Sequence, residues 1–216
     1  MTDAYAGFPP GFFDRSDPTP DDRFYRTARL VTHIDEGAVA AVGALYAELG
    51  LCGPASGSVL DLMSSWVSHF PQRPQRLTVL GLNGAELAAN AMADHRVTLD
   101  LNATPLPTLP FDTAEFDAAV CCVSVDYLVR PIEVFAETAR VVAPGGMFVC
   151  TFSNRCFPTK AIRGWLGTDD GMHLSIVAEY FRRSGGWDEP KVQRRTPADR
   201  SGDPLYAVWA RRSDVS

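Results

Sequence analysis

Apolar positions along this chain come in short blocks broken by turn residues, and their spacing changes from block to block. Residues 36–49, "EGAVAAVGALYAEL", place Val39, Val42, Leu45 or Tyr46 and Leu49 on one helical face. Asp35 stands before them as a candidate N-cap and Gly50 after them as a stop, so the spacing predicts a helix. The following blocks are shorter and predict strands at 58–62, 77–81, 95–99, 117–123 and 146–152. Helical spacing returns at 84–92 and 131–141, then near 158–166 and 173–184. Two last strands, near 191–196 and 205–211, are joined by "PADRSGDP" without a helix and must pair antiparallel.

Such alternation predicts an α/β fold, a mainly parallel sheet with helices on both faces. Residues 1–22 hold four prolines without periodicity and predict a loose arm, or a lid ordered only on contact with the body. Residues 23–216 then form a single domain: a helical cap at 23–55, a core at 56–152, and a substrate side with the closing strands at 153–216.

Composition narrows the function. The chain has 216 residues, is 46% apolar and 21% charged, and carries a net charge of −6. That balance argues against nucleic acid or an anionic membrane as partner, because both attract clustered Lys and Arg; a small-molecule substrate fits better. No apolar run reaches the roughly 20 residues of a membrane span, and the first residues lack the order of a secretory signal, so a cytoplasmic location is expected. Cys52, Cys121, Cys122, Cys150 and Cys156 form no C-x-x-C pair, and His33, His69, His95 and His173 lack ligand spacing, so no metal is expected. The sequence carries no signature of an oligomeric state.

The order of "VLDL" (59–62), "LTVLGLN" (77–83), "VTLDLN" (97–102), "LPFDTAEFDAAV" (109–120) and "ARVVAPGGMFVCTFSN" (139–154) resembles the class I S-adenosylmethionine-dependent methyltransferases, in their small type-11-like branch. "DLMSSWVSHFP" and "SNRCFPTKA" resemble a subgroup of it found in bacteria and plants. The resemblance implies a Rossmann-like, doubly wound sheet of seven strands, the last inserted antiparallel. It also implies S-adenosyl-L-methionine as cofactor, S-adenosyl-L-homocysteine as product, and a cofactor site at the carboxyl ends of the first strands, where strand order reverses.

Transferred residue by residue, the resemblance points to Asp61 and the turn Met63, Ser64 and Ser65, then to Asn83 where the family has an acidic ribose ligand. Asp100 matches the carboxylate that takes the adenine amino group, with Leu101 and Asn102 beside it. Cys122, Val123 and Asp126 follow the fourth strand, where the family packs adenine and methionine. The first turn departs from the family: it reads Met63-Ser64-Ser65-Trp66-Val67 where the family has glycines, and Met63, Ser65 and Val67 would resist the positive φ that glycine tolerates. Ser64 or Ser65 as N-cap of a short helix, cut off by Pro71 and Pro74, would present amides to the methionine carboxylate. Alternatively Trp66 merely fills a core gap behind a structural cap.

Substrate-side candidates are Tyr25, Arg29 and His33 before the first long helix, Asn154, Arg155 and Lys160 after the fifth strand, and His173. Arg155 and Lys160 either hold an anion or face solvent, and His33 either takes a proton or packs. Methyl transfer to a small molecule is therefore the leading expectation. A non-catalytic scaffold or regulatory partner of the same fold is the alternative, favoured by Met63 to Val67 and Asn83. A nicotinamide-dependent oxidoreductase ranks below both, since G-x-G-x-x-G is absent.

Overall fold

Seven strands share one sheet in the computed structural model, which describes residues 4–197, 199 and 201–213. They are β1 (Ser58–Leu62), β2 (Arg76–Gly81), β3 (His95–Thr98), β4 (Phe116–Cys122), β5 (Val142–Phe152), β6 (Lys191–Arg194) and β7 (Tyr206–Arg211). Their order is β3-β2-β1-β4-β5-β7-β6. The first five run parallel, whereas β7 lies antiparallel to both β5 and β6. Strand order reverses between β1 and β4, so the crevice at their carboxyl ends is where a ligand is expected.

The helices are α1 (Asp21–Phe24), α2 (Glu36–Glu48), α3 (Gly84–Ala89), α4 (Pro131–Val141), α5 (Arg163–Leu166) and α6 (Asp170–Ser184). Asp35 caps α2 as expected, accepting from the Ala38 amide at 2.7 Å, and Gly50 takes the positive φ that ends it. On one face of the sheet α2 buries Val42, Leu45 and Tyr46 against Val59, Leu77 and Val79. On the other, Phe135 of α4 and Phe181 of α6 meet Phe148 of β5 with ring centroids 4.8–5.5 Å apart.

Four predicted boundaries move. α3 stops at Ala89 because the Asn90 side chain turns back to the loop after β1. Only Arg163–Leu166 of the expected 158–166 helix is helical, and β6 ends at Arg194. β5 begins earlier, at Val142, with a register break against β4 where "APGG" inserts extra residues and Gly145 takes φ 73°. A larger correction concerns the crossover from β1 to β2: residues 63–75 contain no helix. Ser64, Ser65 and Ser68 spend their hydroxyls on carboxylates and so compete with the helical ladder, while Pro71 and Pro74 forbid its continuation.

The N-terminal segment lies against the body. Phe8, Phe12 and Phe13 pack on the core beside Tyr180, and the Phe12 ring sits where a Cβ on Gly164 would be, 2.3 Å away. The chain is then clasped by ions. Lys160, with no solvent exposure, places Nζ 3.1 Å from both Asp17 and Asp21 and donates to the Thr19 carbonyl at 2.7 Å. Arg15 binds both oxygens of Asp21 at 2.8 Å. Burial pushes the Asp21 carboxyl up, but Arg15, Asn102 and Lys160 outweigh it and hold it below the usual range. Removing one partner of such a cluster strands a buried charge, so Lys160→Met should lower the unfolding free energy by about 3–5 kcal/mol in urea titrations. A loss under about 1 kcal/mol would mean that Arg15 alone neutralises Asp21.

Candidate active site

A cavity of about 500 Å³ opens at the carboxyl ends of β1, β2, β3 and β4. This is within the range of small-ligand and cofactor sites. Of the expected cofactor residues, Asp61, Met63, Ser64, Ser65, Asn83, Asp100, Leu101, Asn102, Cys122 and Val123 line it. So do the expected substrate residues Tyr25, Arg29, His33, Asn154 and Arg155. Three candidates lie elsewhere. Asp126 is buried behind the wall, Lys160 is consumed by the N-terminal clasp, and His173 stacks on Trp165 with centroids 3.9 Å apart.

The turn after β1 gives the cavity its floor. Met63 takes φ 54°, so the backbone follows the left-handed path that glycine would choose, with thioether in place of hydrogen. Val123, at the end of β4, takes φ 46°, a conformation that a β-branched side chain adopts only under constraint. The two strained residues close the strands that flank the reversal point. Beside them Gly81 is obligatory, since a Cβ there would lie 2.1 Å from the Ser64 carbonyl oxygen.

Hydroxyls hold this turn to its neighbours. Ser64 and Ser68 both donate to Oδ2 of Asp61, at 2.8 and 2.6 Å, and Asn90 donates to the Ser68 hydroxyl at 2.9 Å. Ser65 donates to Glu86 at 2.6 Å, and the other Glu86 oxygen accepts from the Arg29 amide at 2.7 Å. The serines therefore act as donors to acids, where the sequence predicted an N-cap. Asn83 is also engaged: its oxygen caps α3 through the Ala85 and Glu86 amides, and its Nδ2 donates to the Tyr25 carbonyl at 2.7 Å.

Burial sets the ionisation. The Asp61 carboxyl is pushed up to about 6 by burial, against the pull of the Ser68 and Ser64 hydroxyls. Burial also raises Asp100, opposed by the Asn102 amide that donates to it at 2.8 Å. Asp126, whose Oδ2 makes no hydrogen bond, is pushed up to about 8 by burial and stays mostly protonated at neutral pH. Cys122 is pushed up to about 12 by burial, so it presents a thiol and no nucleophilic thiolate. Burial lowers both His33 and His69, and each faces the cavity as a neutral imidazole.

Several cavity residues escaped the sequence reading. Tyr46 is buried on the core face of α2 as expected, and it also borders the cavity, with its hydroxyl closed off from water. Glu86 lines the cavity from the first turn of α3, where it accepts from Ser65. Ser68, His69, Tyr127 and Phe157 carry no periodic signal, because they come from loops and a short turn. Among the described residues no helix is long and apolar enough to cross a membrane, and no cluster of three or more His, Cys, Asp or Glu is placed to hold a metal ion.

Residues 52–150 match a family described as a methyltransferase domain, of type 11. That match covers 99 of the 216 residues, the part that holds β1 to β4 and most of β5. Solved structures agree on the fold. A chain of the Haloferax volcanii complex between a methyltransferase activator and a methyltransferase superposes with a TM-score of 0.54 at 14% identity, over 82% of this chain and 95% of that one. Geranyl diphosphate C-methyltransferase from Streptomyces coelicolor, in complex with Mg2+, geranyl diphosphate and S-adenosyl-L-homocysteine, gives 0.52 at 16% identity, over 80% and 77%. The cyclase SpnF gives 0.53 at 16%, over 80% of each chain. At such identities the likeness establishes the fold, and the cyclase shows that one fold hosts more than one chemistry. No curated protein matches the chain by sequence.

Two expectations follow for the turn after β1 and its neighbours. The Asp61 carboxyl is raised in the folded state from an ordinary 3.8, so its stabilising share is complete below about pH 4 and is lost as pH rises through about 6. Measured by urea unfolding, wild type should lose on the order of 3 kcal/mol relative to Asp61→Asn between pH 4 and pH 7, and a flat difference would show an ordinary carboxyl. Gly81→Ala should cost several kcal/mol, about 3 or more, because its methyl group meets backbone that cannot rotate away.

Proposed function

We propose that the protein transfers a methyl group from S-adenosyl-L-methionine to a small molecule. The observation that carries this reading is the cavity at the strand-order reversal, with three carboxyl groups, Asp61, Glu86 and Asp100, on its strand side. A ligand with a sulfonium and an ammonium group is a net cation, and such a wall complements it. The left-handed turns at Met63 and Val123 also suit a bound cofactor, by keeping backbone close to the space. Neither the Trp66 indole nor the Met63 thioether fills the space; both are part of its wall.

Asp100 is the residue proposed to accept from the adenine amino group, with Leu101 and Asn102 beside it. Asn83 is engaged in the α3 cap, so Glu86, one turn further on, is the nearer carboxylate for a ribose hydroxyl. When bound, S-adenosyl-L-methionine supplies an electrophilic methyl group, which an acceptor lone pair takes as the C–S bond pair returns to sulfur. The chain's share is alignment and exclusion of water. His69 and His33, held neutral by burial, are placed to receive a proton from an acceptor O–H or N–H.

A second reading, a non-catalytic relative of the fold, draws support from the internal engagement of Asp61, Glu86 and Asn83. Calorimetric titration with S-adenosyl-L-methionine, S-adenosyl-L-homocysteine and NADH separates the possibilities. Binding of both adenosyl compounds is expected, silence favours the scaffold, and binding of NADH alone favours an oxidoreductase. Asp100→Ala should weaken adenosyl binding by about 1–3 kcal/mol.

A further inference from the structure

The wall opposite the strand ends differs in chemistry from the carboxylate wall. Phe157 is its hub: its ring centroid lies 5.3 Å from Phe24, 5.3 Å from His33, 6.0 Å from Tyr127 and 6.3 Å from Tyr25. The Arg29 guanidinium stacks on this cluster, 4.7 Å from the Phe24 ring and 5.5 Å from the Phe157 ring. It donates to the Phe24 carbonyl at 3.0 Å and reaches the Thr27 carbonyl at 3.5 Å. Most of its five N–H donors remain unused, and among the described residues no carboxylate lies within 4 Å of it. Arg155, across the mouth and 64% exposed at its side chain, has one acidic neighbour, Asp203, at 3.7 Å. Asp21 also faces the cavity, but Arg15 and Lys160 already neutralise it.

The Arg29 guanidinium, set among aromatic rings with no carboxylate within 4 Å among the described residues, and the exposed Arg155, paired with Asp203 alone, offer a recognition surface for a planar anion. Guanidinium binds carboxylate or phosphate through paired N–H groups, and the rings cover a flat apolar body. We infer that the second ligand of this cavity, the methyl acceptor under the reading above, is a small aromatic anion held by Arg29 and Arg155 against Phe157 and Tyr25. The inference rests on methyl transfer only for the word acceptor. The anion site stands on the side chains themselves.

Calorimetry on the full chain tests it, with 4-hydroxybenzoate, its neutral amide, the cation tyramine, and phenyl phosphate as probes, each with and without saturating S-adenosyl-L-homocysteine. The carboxylate or the phosphate should bind at least tenfold more tightly than the amide, and the tighter of the two identifies the anionic group. Tyramine should bind more weakly than the amide. In Arg155→Gln, an exposed change that leaves the fold undisturbed, the preference for anion over amide should fall at least fivefold, and in Arg29→Gln it should fall further. Equal binding of amide and anions, tighter binding of tyramine, or silence from all four probes overturns the inference. Discrimination that persists while S-adenosyl-L-homocysteine fails to bind would retain the anion site and remove the methyl-transfer reading. Adenosyl binding without discrimination would do the reverse.

Discussion

A buried carboxylate at the end of β1 organises this protein. Asp61 leaves the sheet at the point where strand order reverses, and it is accessible to water only along the cavity. Left alone it would be too costly to keep charged. Ser64 and Ser68 relieve that cost by turning their hydroxyls inward, and in doing so they prevent the loop from winding into a helix. Asn90 extends the same chain of donors to the end of α3. The crossover from β1 to β2 is thus held by side chains, and the cavity floor inherits the shape of that network.

The N-terminal segment completes the enclosure. Its phenylalanines are bound by core burial, and its ions are bound by Lys160, so it lies on the body instead of trailing from it. That clasp carries Tyr25 and Arg29 to the mouth of the cavity, while Asn83 and Glu86 receive the carbonyl and amide groups that follow. The residues expected to hold cofactor are therefore also the residues that seat the cover. Asn83 and Glu86 serve the fold and the cavity at once, so substitutions there are expected to change both.

Charge is divided across the cavity. Carboxyl groups stand on the strand side, the His69 imidazole near the turn, and the Arg29 guanidinium with the His33 imidazole among aromatic rings on the cover. A cationic cofactor and an anionic acceptor would attract one another across such a space and would be drawn to opposite walls. The fold shared with methyltransferases and with a cyclase does not by itself choose this chemistry; the side chains that line the cavity do.

The sequence by itself determined the sheet, the helices α2, α4 and α6, and the position of the cavity, because strand and helix periodicities and the order of motifs are local properties read along the chain. Asp35 and Gly50 were legible for the same reason. What only the tertiary structure decided is where each polar side chain spends its hydrogen bonds. Ser64 and Ser65 look like N-caps until Asp61 and Glu86 are seen beside them, and Lys160 looks like an exposed anion ligand until Asp17 and Asp21 close on it. Apart from Ser64, which lies three positions from Asp61, these partners are 21 to 143 positions apart with no periodicity to announce them, and burial, which makes such bonds compulsory, exists only once the chain has folded.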